Sequence, residues 1–106
     1  MKIPADIRNR QYELTCLVGP DYTQDELTQV KESLVKVISS HGGEVKDTQD
    51  WGKRELAYSI KKAGKKYSQA HYLHFQFEAD ASQATNIKET INITEQVIRF
   101  LLVNQE

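Results

Sequence analysis

The chain has 106 residues, 39% of them hydrophobic and 27% charged, with a formal net charge of −1. That length suits one compact domain, and the apolar content is too high for a disordered chain. No apolar run approaches the ~20 residues of a membrane helix, MKIPADIRNR lacks the apolar segment of a secretory signal, and a single cysteine, Cys16, excludes an internal disulfide.

Residues 1–10 are expected to form a short flexible extension to a single domain spanning 1–106. YELTCLV, residues 12–18, alternates as a strand, with Tyr12, Leu14, Cys16 and Val18 on one side and Glu13, Thr15 and Leu17 on the other. After the turn residues GPDY, Thr23-Gln24-Asp25-Glu26 reads as a capping box with acids suited to a helix N-terminus. Leu27, Val30, Leu34, Val37 and Ile38 follow at helical spacing, and His41-Gly42-Gly43 closes the helix. Residues 44–60 read as a long strand, interrupted or bulged near Asp50-Trp51-Gly52. Residues 61–70, KKAGKKYSQA, are expected to be a polar loop. HYLHFQFEA, residues 71–79, then sets Leu73, Phe75 and Phe77 against Tyr72, His74 and Gln76. Asp80 or Ser82 caps a weaker helix carrying Ala84, Ile87 and Ile91. The final strand, residues 96–104, is apolar on both faces except for Arg99.

This βαββαβ order predicts the α+β class: a ferredoxin-like sandwich whose four-stranded antiparallel sheet carries both helices on one face. Right-handed crossovers put the first and third strands in the centre. The other face would stay open, displaying Glu13, Thr15, Leu17, Tyr72, His74, Gln76, Arg99, Leu101 and Val103. So apolar and aromatic a surface points to a partner.

The near-neutral total conceals an uneven charge distribution. Residues 1–12 and 53–66 hold nine of the 14 Lys and Arg, namely Lys2, Arg8, Arg10, Lys53, Arg54, Lys61, Lys62, Lys65 and Lys66, against two acids, Asp6 and Glu55. Phosphate attraction follows local clustering, so an RNA partner is open; a solvated face is the plainer alternative. Lys53 and Arg54 are strand neighbours on opposite faces, so at most one shares a face with Tyr58, and both could instead guard an edge strand. Trp51 and Tyr58 could stack on bases or fill a bulge and core. His71 and His74 point to opposite sides and cannot share a metal ion without bending the backbone, and no metal or other cofactor is expected.

YEL near the N-terminus, DWGKRELAYSI in the second strand, HYLHFQFEA in the third and VIRFLLV in the last resemble the bacterial small-subunit ribosomal protein S6 family. The likeness runs from about Tyr12 to Asn104, and WGKRxLAY is its most specific part. It implies a non-enzymatic constituent of the small ribosomal subunit. Such a protein would bind the central domain of 16S-type ribosomal RNA together with ribosomal protein S18 during platform assembly. A cytoplasmic, ribosome-associated chain is expected, bacterial or organellar. Membrane partners and small-molecule substrates are not. Carried over by position, the resemblance assigns RNA contact to Tyr12, Lys53, Arg54, Lys61 or Lys62, and Arg99; charge clustering adds Arg10, Lys65 and Lys66. Trp51, Tyr58, Tyr72, His74, Leu101 and Val103 are the candidates for the protein interface. Ser59 stands where the family has proline, and Glu55 where it has a neutral or basic residue.

Other classes fit less well. An acylphosphatase-type enzyme needs an arginine in the loop after the first strand, and GPDYTQDE is acidic there. An RNA-recognition-motif domain stacks bases on two central strands, and Glu13 and Thr15 hold those positions in the first. The remaining alternative is a self-associating ferredoxin-like ligand-sensing or interaction module.

Overall fold

The computed structural model describes residues 9–105. Strand β1 (Asn9–Val18) leads into helix α1 (Gln24–Ser40), then β2 (Glu44–Lys62), β3 (Lys65–Asp80), a single 3-10 turn (Ala81–Gln83), helix α2 (Ala84–Asn92) and β4 (Val97–Asn104). The sheet is antiparallel with order β2-β3-β1-β4, so β1 and β3 are central as the crossover rule requires. Asn9 and Arg10, expected in a flexible extension, instead pair with Asp80 and Ala79 as the start of β1. The rest of that extension lies outside the described residues.

Local chemistry sets the ends of α1. Thr23 Oγ1 accepts from the Glu26 N–H at 3.2 Å, and Glu26 Oε1 accepts from the Thr23 N–H at 2.8 Å, closing the capping box. At the other end Gly42 sits at φ +77°, a conformation that strains a side chain, and the Gly43 N–H returns to the Ile38 carbonyl at 2.9 Å. Asp80 caps the 3-10 turn through Ser82 N.

Alternation decides the core. Leu14, Cys16, Val18, Leu73, Phe75 and Phe77 face the helices and are fully buried against Leu34, Ile38, Ile87 and Ile91. Each such side chain contributes roughly 1.5–3 kcal/mol by leaving water. Burial pushes the Cys16 thiol up to about 12, so it behaves as a small apolar residue.

The expected polar loop over residues 61–70 is absent. β2 and β3 continue to Lys62 and Lys65 and join through Ala63 and Gly64, at φ 52° and 79°. Two positive φ values are the signature of the type I′ turn, whose twist matches a hairpin. The lysine-rich sequence shows little alternation because only Tyr67 and Ala70 of residues 61–70 pack against a core. The ladder breaks once on the way: Glu55 pairs with Gln69, but Ile60 pairs with Tyr67. Residues 56–59 of β2 stand opposite the single Ser68 of β3, a larger irregularity than the two-against-one bulge.

Beyond that irregularity the arm packs onto the face opposite the helices. Ile60, Ala70 and Ile98 form a second buried cluster, flanked by Leu17, Leu56, Tyr67 and Tyr72. The Lys62 ammonium reaches the Val97 carbonyl at the start of β4. The face expected to be open is therefore covered at one end, and Leu17 and Tyr72 are half-buried.

Candidate nucleic-acid and partner-protein surface

The uncovered part of this face is organised by a second break in β2. Asp50 pairs with Leu73 and Gly52 with Tyr72, leaving Trp51 as the extra residue of a bulge. Gly52 takes φ +83°, which the bulge needs and a side chain would resist. The Asp50 carboxylate accepts from the Gly52 N–H at 2.8 Å and meets His71 Nε2 on the helix side. Partial burial alone would raise the Asp50 pKa. The Gly52 N–H and the His71 ring outweigh it and hold this carboxyl below its ordinary value.

Trp51 is thereby turned over the sheet. Its ring stacks on His74 with centroids 4.4 Å apart and planes 13° from parallel, and its Nε1 donates to Gln49 Oε1 at 2.8 Å. His74 lies on the predicted face but is 6% exposed beneath the indole, with Nδ1 3.0 Å from Thr15 Oγ1 and Nε2 3.6 Å from Glu13 Oε1. It supports the surface from below and does not present a contact of its own, which corrects its assignment to the partner interface. Arg54 completes the cluster. Its guanidinium carbon lies 5.8 Å from the Trp51 ring centroid and 5.5 Å from that of Tyr72, and its Nε donates to the Trp51 carbonyl at 3.3 Å.

The arm is the second component. Lys61 faces Lys66 across the ladder, and Lys62 faces Lys65. Like charges directly opposite work against a strand pair, and Asp21 is the acid that lines a cavity beside Lys65 and Lys66. Lys62 is half-buried and directed to Val97, whereas Lys61, Lys65 and Lys66 are exposed and make no ion pair among the described residues. Lys53 is exposed and pairs with His71, while Arg54 pairs with Ala70, so these neighbours do diverge to opposite faces. Tyr58 projects from the irregular stretch of β2 at 86% exposure.

β4 brings the third component. Arg99, Leu101 and Val103 lie opposite Leu17, Thr15 and Glu13, in the expected row. All three are exposed, Leu101 at 64%. Arg10 is half-buried, with Nη1 donating to the Asn9 carbonyl at 3.0 Å. Tyr12 is removed from the RNA-binding set. It is 6% exposed, and its ring stacks on Phe77 at 5.4 Å inside the helix-side core. Its even parity with Leu14 already placed it there.

Sequence reasoning placed Thr15 on this face and a bulge at Asp50-Trp51-Gly52, but missed Gln49 and the contacts by which these residues fix the platform. The only sequence signal was the Asp-x-Gly spacing around Trp51, a side-chain-to-backbone turn pattern. Among the described residues no group of His, Cys, Asp and Glu could hold a metal ion. His71 and His74 face opposite sides of the sheet, each with its own partner. The arrangement offers cations and exposed aromatic and apolar surface, while the one hydroxyl–imidazole contact on this face among the described residues, Thr15 with His74, lies beneath the Trp51 ring.

Comparison with known proteins agrees with that reading. The family model described as "Ribosomal protein S6" matches residues 11–104. The small ribosomal subunit protein bS6 of Desulforudis audaxviator is 32% identical over 97 residues, covering 92% of this chain and 99% of that one. The protein of the same name from Heliobacterium modesticaldum is also 32% identical over 97 residues, covering 92% and 97%. A crystal structure of the 30S ribosomal protein S6 from Thermotoga maritima superimposes with a TM-score of 0.80 at 22% identity, over 92% of this chain and 88% of that one. At that identity the superposition speaks for the fold.

Proposed function

The chain belongs to the ribosomal protein S6 family, and from that premise we propose that it binds the central domain of 16S-type ribosomal RNA jointly with ribosomal protein S18. As a member of that family it is a structural, ribosome-associated constituent of the small subunit and not an enzyme. The observation that carries the finer reading is the arm. Lysine faces lysine across its ladder, Lys61, Lys65 and Lys66 make no ion pair among the described residues although Asp21 lines a cavity beside Lys65 and Lys66, and a phosphate backbone would pair with all three. Arg54 and Arg99 extend the cationic surface over the sheet and Lys53 adds a cation on the other side of the β2 edge, gripping phosphates without reading sequence. Leu101 and Val103, exposed on the far edge, are the surface S18 would cover, leaving a joint cationic surface that neither protein presents alone.

Titration of a central-domain rRNA transcript with the full chain, with and without S18, tests this. Binding should be strong only with S18 present and should weaken steeply with salt. A stable homodimer in light scattering, indifferent to S18 and RNA, would instead establish the self-associating module.

A further inference from the structure

We propose that Trp51 and Tyr72 are positioning residues that hold the Arg54 guanidinium in its RNA-binding orientation before RNA arrives. The inference rests on the reading that Arg54 contacts rRNA phosphate.

An arginine on an exposed edge strand ordinarily samples many rotamers, and that freedom is lost when it grips a phosphate. Arg54 is restrained on several sides at once. Its guanidinium lies near two aromatic rings, at 5.8 Å from Trp51 and 5.5 Å from Tyr72, and its Nε is committed to the Trp51 carbonyl. With Nε so occupied, the Nη edge of the planar fork is left to meet phosphate oxygens.

The rings are themselves fixed. Trp51 is clamped from below by His74, laterally by Gln49, and through its backbone by the bulge that Asp50 and Gly52 close. Tyr72 is half-buried where the arm crosses the sheet, beside Ile60 and Ala70. Lys53, one residue earlier on β2, has no comparable support and leaves on the other face. The two cations of GKR are therefore unequal: Arg54 is a prepared contact and Lys53 is exposed without such support.

The test is a double-mutant cycle on Arg54→Ala and Tyr72→Leu, read by titrating a central-domain rRNA transcript with the full chain and S18 present. Tyr72→Leu keeps an apolar side chain at that site, and a urea melt verifies that it folds. Alone, it should weaken binding by on the order of fivefold while leaving the salt slope unchanged, because no charge is lost. Added to Arg54→Ala it should have no further effect, and Tyr72→Phe, which keeps the ring, should bind as the parent does. Arg54→Lys should lose affinity at an unchanged salt slope. If Arg54→Ala weakens binding but Tyr72→Leu acts equally in both backgrounds, or not at all, the positioning role is overturned and the RNA contact stands. If Arg54→Ala changes neither affinity nor slope, the contact itself fails, and the positioning role with it.

Discussion

On the helix side of the sheet, Leu14, Phe75, Phe77, Leu34 and Ile87 are fully buried, and each finds its neighbours within the chain. At the tip of the β2–β3 arm, Lys61, Lys65 and Lys66 stand exposed, with lysine opposite lysine. The first region gains free energy by folding alone. The second is held in place by the small cluster around Ile60, Ala70 and Ile98 and sets like charges opposite one another, which works against the strand pair. One strand pair thus serves stability at one end and, on the proposed function, recognition at the other, and the two roles would respond to different perturbations.

The sharpest contrast comes from Phe75. Cutting it to alanine should cost about 3–5 kcal/mol, most of what a domain of this size has, since the cavity opens at the centre of the sheet. A urea melt showing less than about 1 kcal/mol of loss would erase the distinction between the two regions.

Next is Leu101, which belongs to the sheet but not to either core. Leu101→Glu should leave the melt close to that of the parent while weakening S18 binding by about 2 kcal/mol or more, as a central apolar interface residue would. Unfolding of the variant would mean that this row is buried in the free protein.

The arm should give a smaller effect of opposite sign on stability. Replacing Lys61 and Lys66 together by alanine should raise the urea midpoint at low salt, with the gain vanishing at high salt as the repulsion is screened. The same change should flatten the salt dependence of RNA binding by a slope of roughly 0.7–0.9 per cation removed. A lowered midpoint at low salt would show that these lysines stabilise the arm after all.

The smallest effect lies at the joint between the regions, where Asp50 braces the Trp51 bulge. Because its folded pKa is lowered, its contribution is fully present above the unfolded carboxylate value near ~3.9 and is lost as pH falls through the folded value. Asp50→Asn should therefore lower stability at neutral pH and make it less sensitive to acid. Parallel stability–pH curves for variant and parent would remove Asp50 from that role.

Much of this molecule was legible as text because the deciding interactions are local. Period-two alternation in YELTCLV and HYLHFQFEA placed Leu14, Cys16, Phe75 and Phe77 inside, and the Thr23–Glu26 box and Gly42 marked the ends of α1. The same parity assigned Tyr12 to the core, against the role that resemblance suggested for it, and here local parity was the better guide. What the text did not contain was where the arm goes. Its path depends on the three register shifts in β2 and on contacts between residues far apart in sequence: Ile60 and Ala70 with Ile98, and Lys62 with Val97. A bulge shifts register by inserting residues into one strand, and only the partner strand reveals the mismatch. Trp51 over His74, and Arg54 against Trp51 and Tyr72, follow from that mismatch. Their chemistry was visible at once in WGKRELAYSI; their assembly into one surface was decided by the sheet.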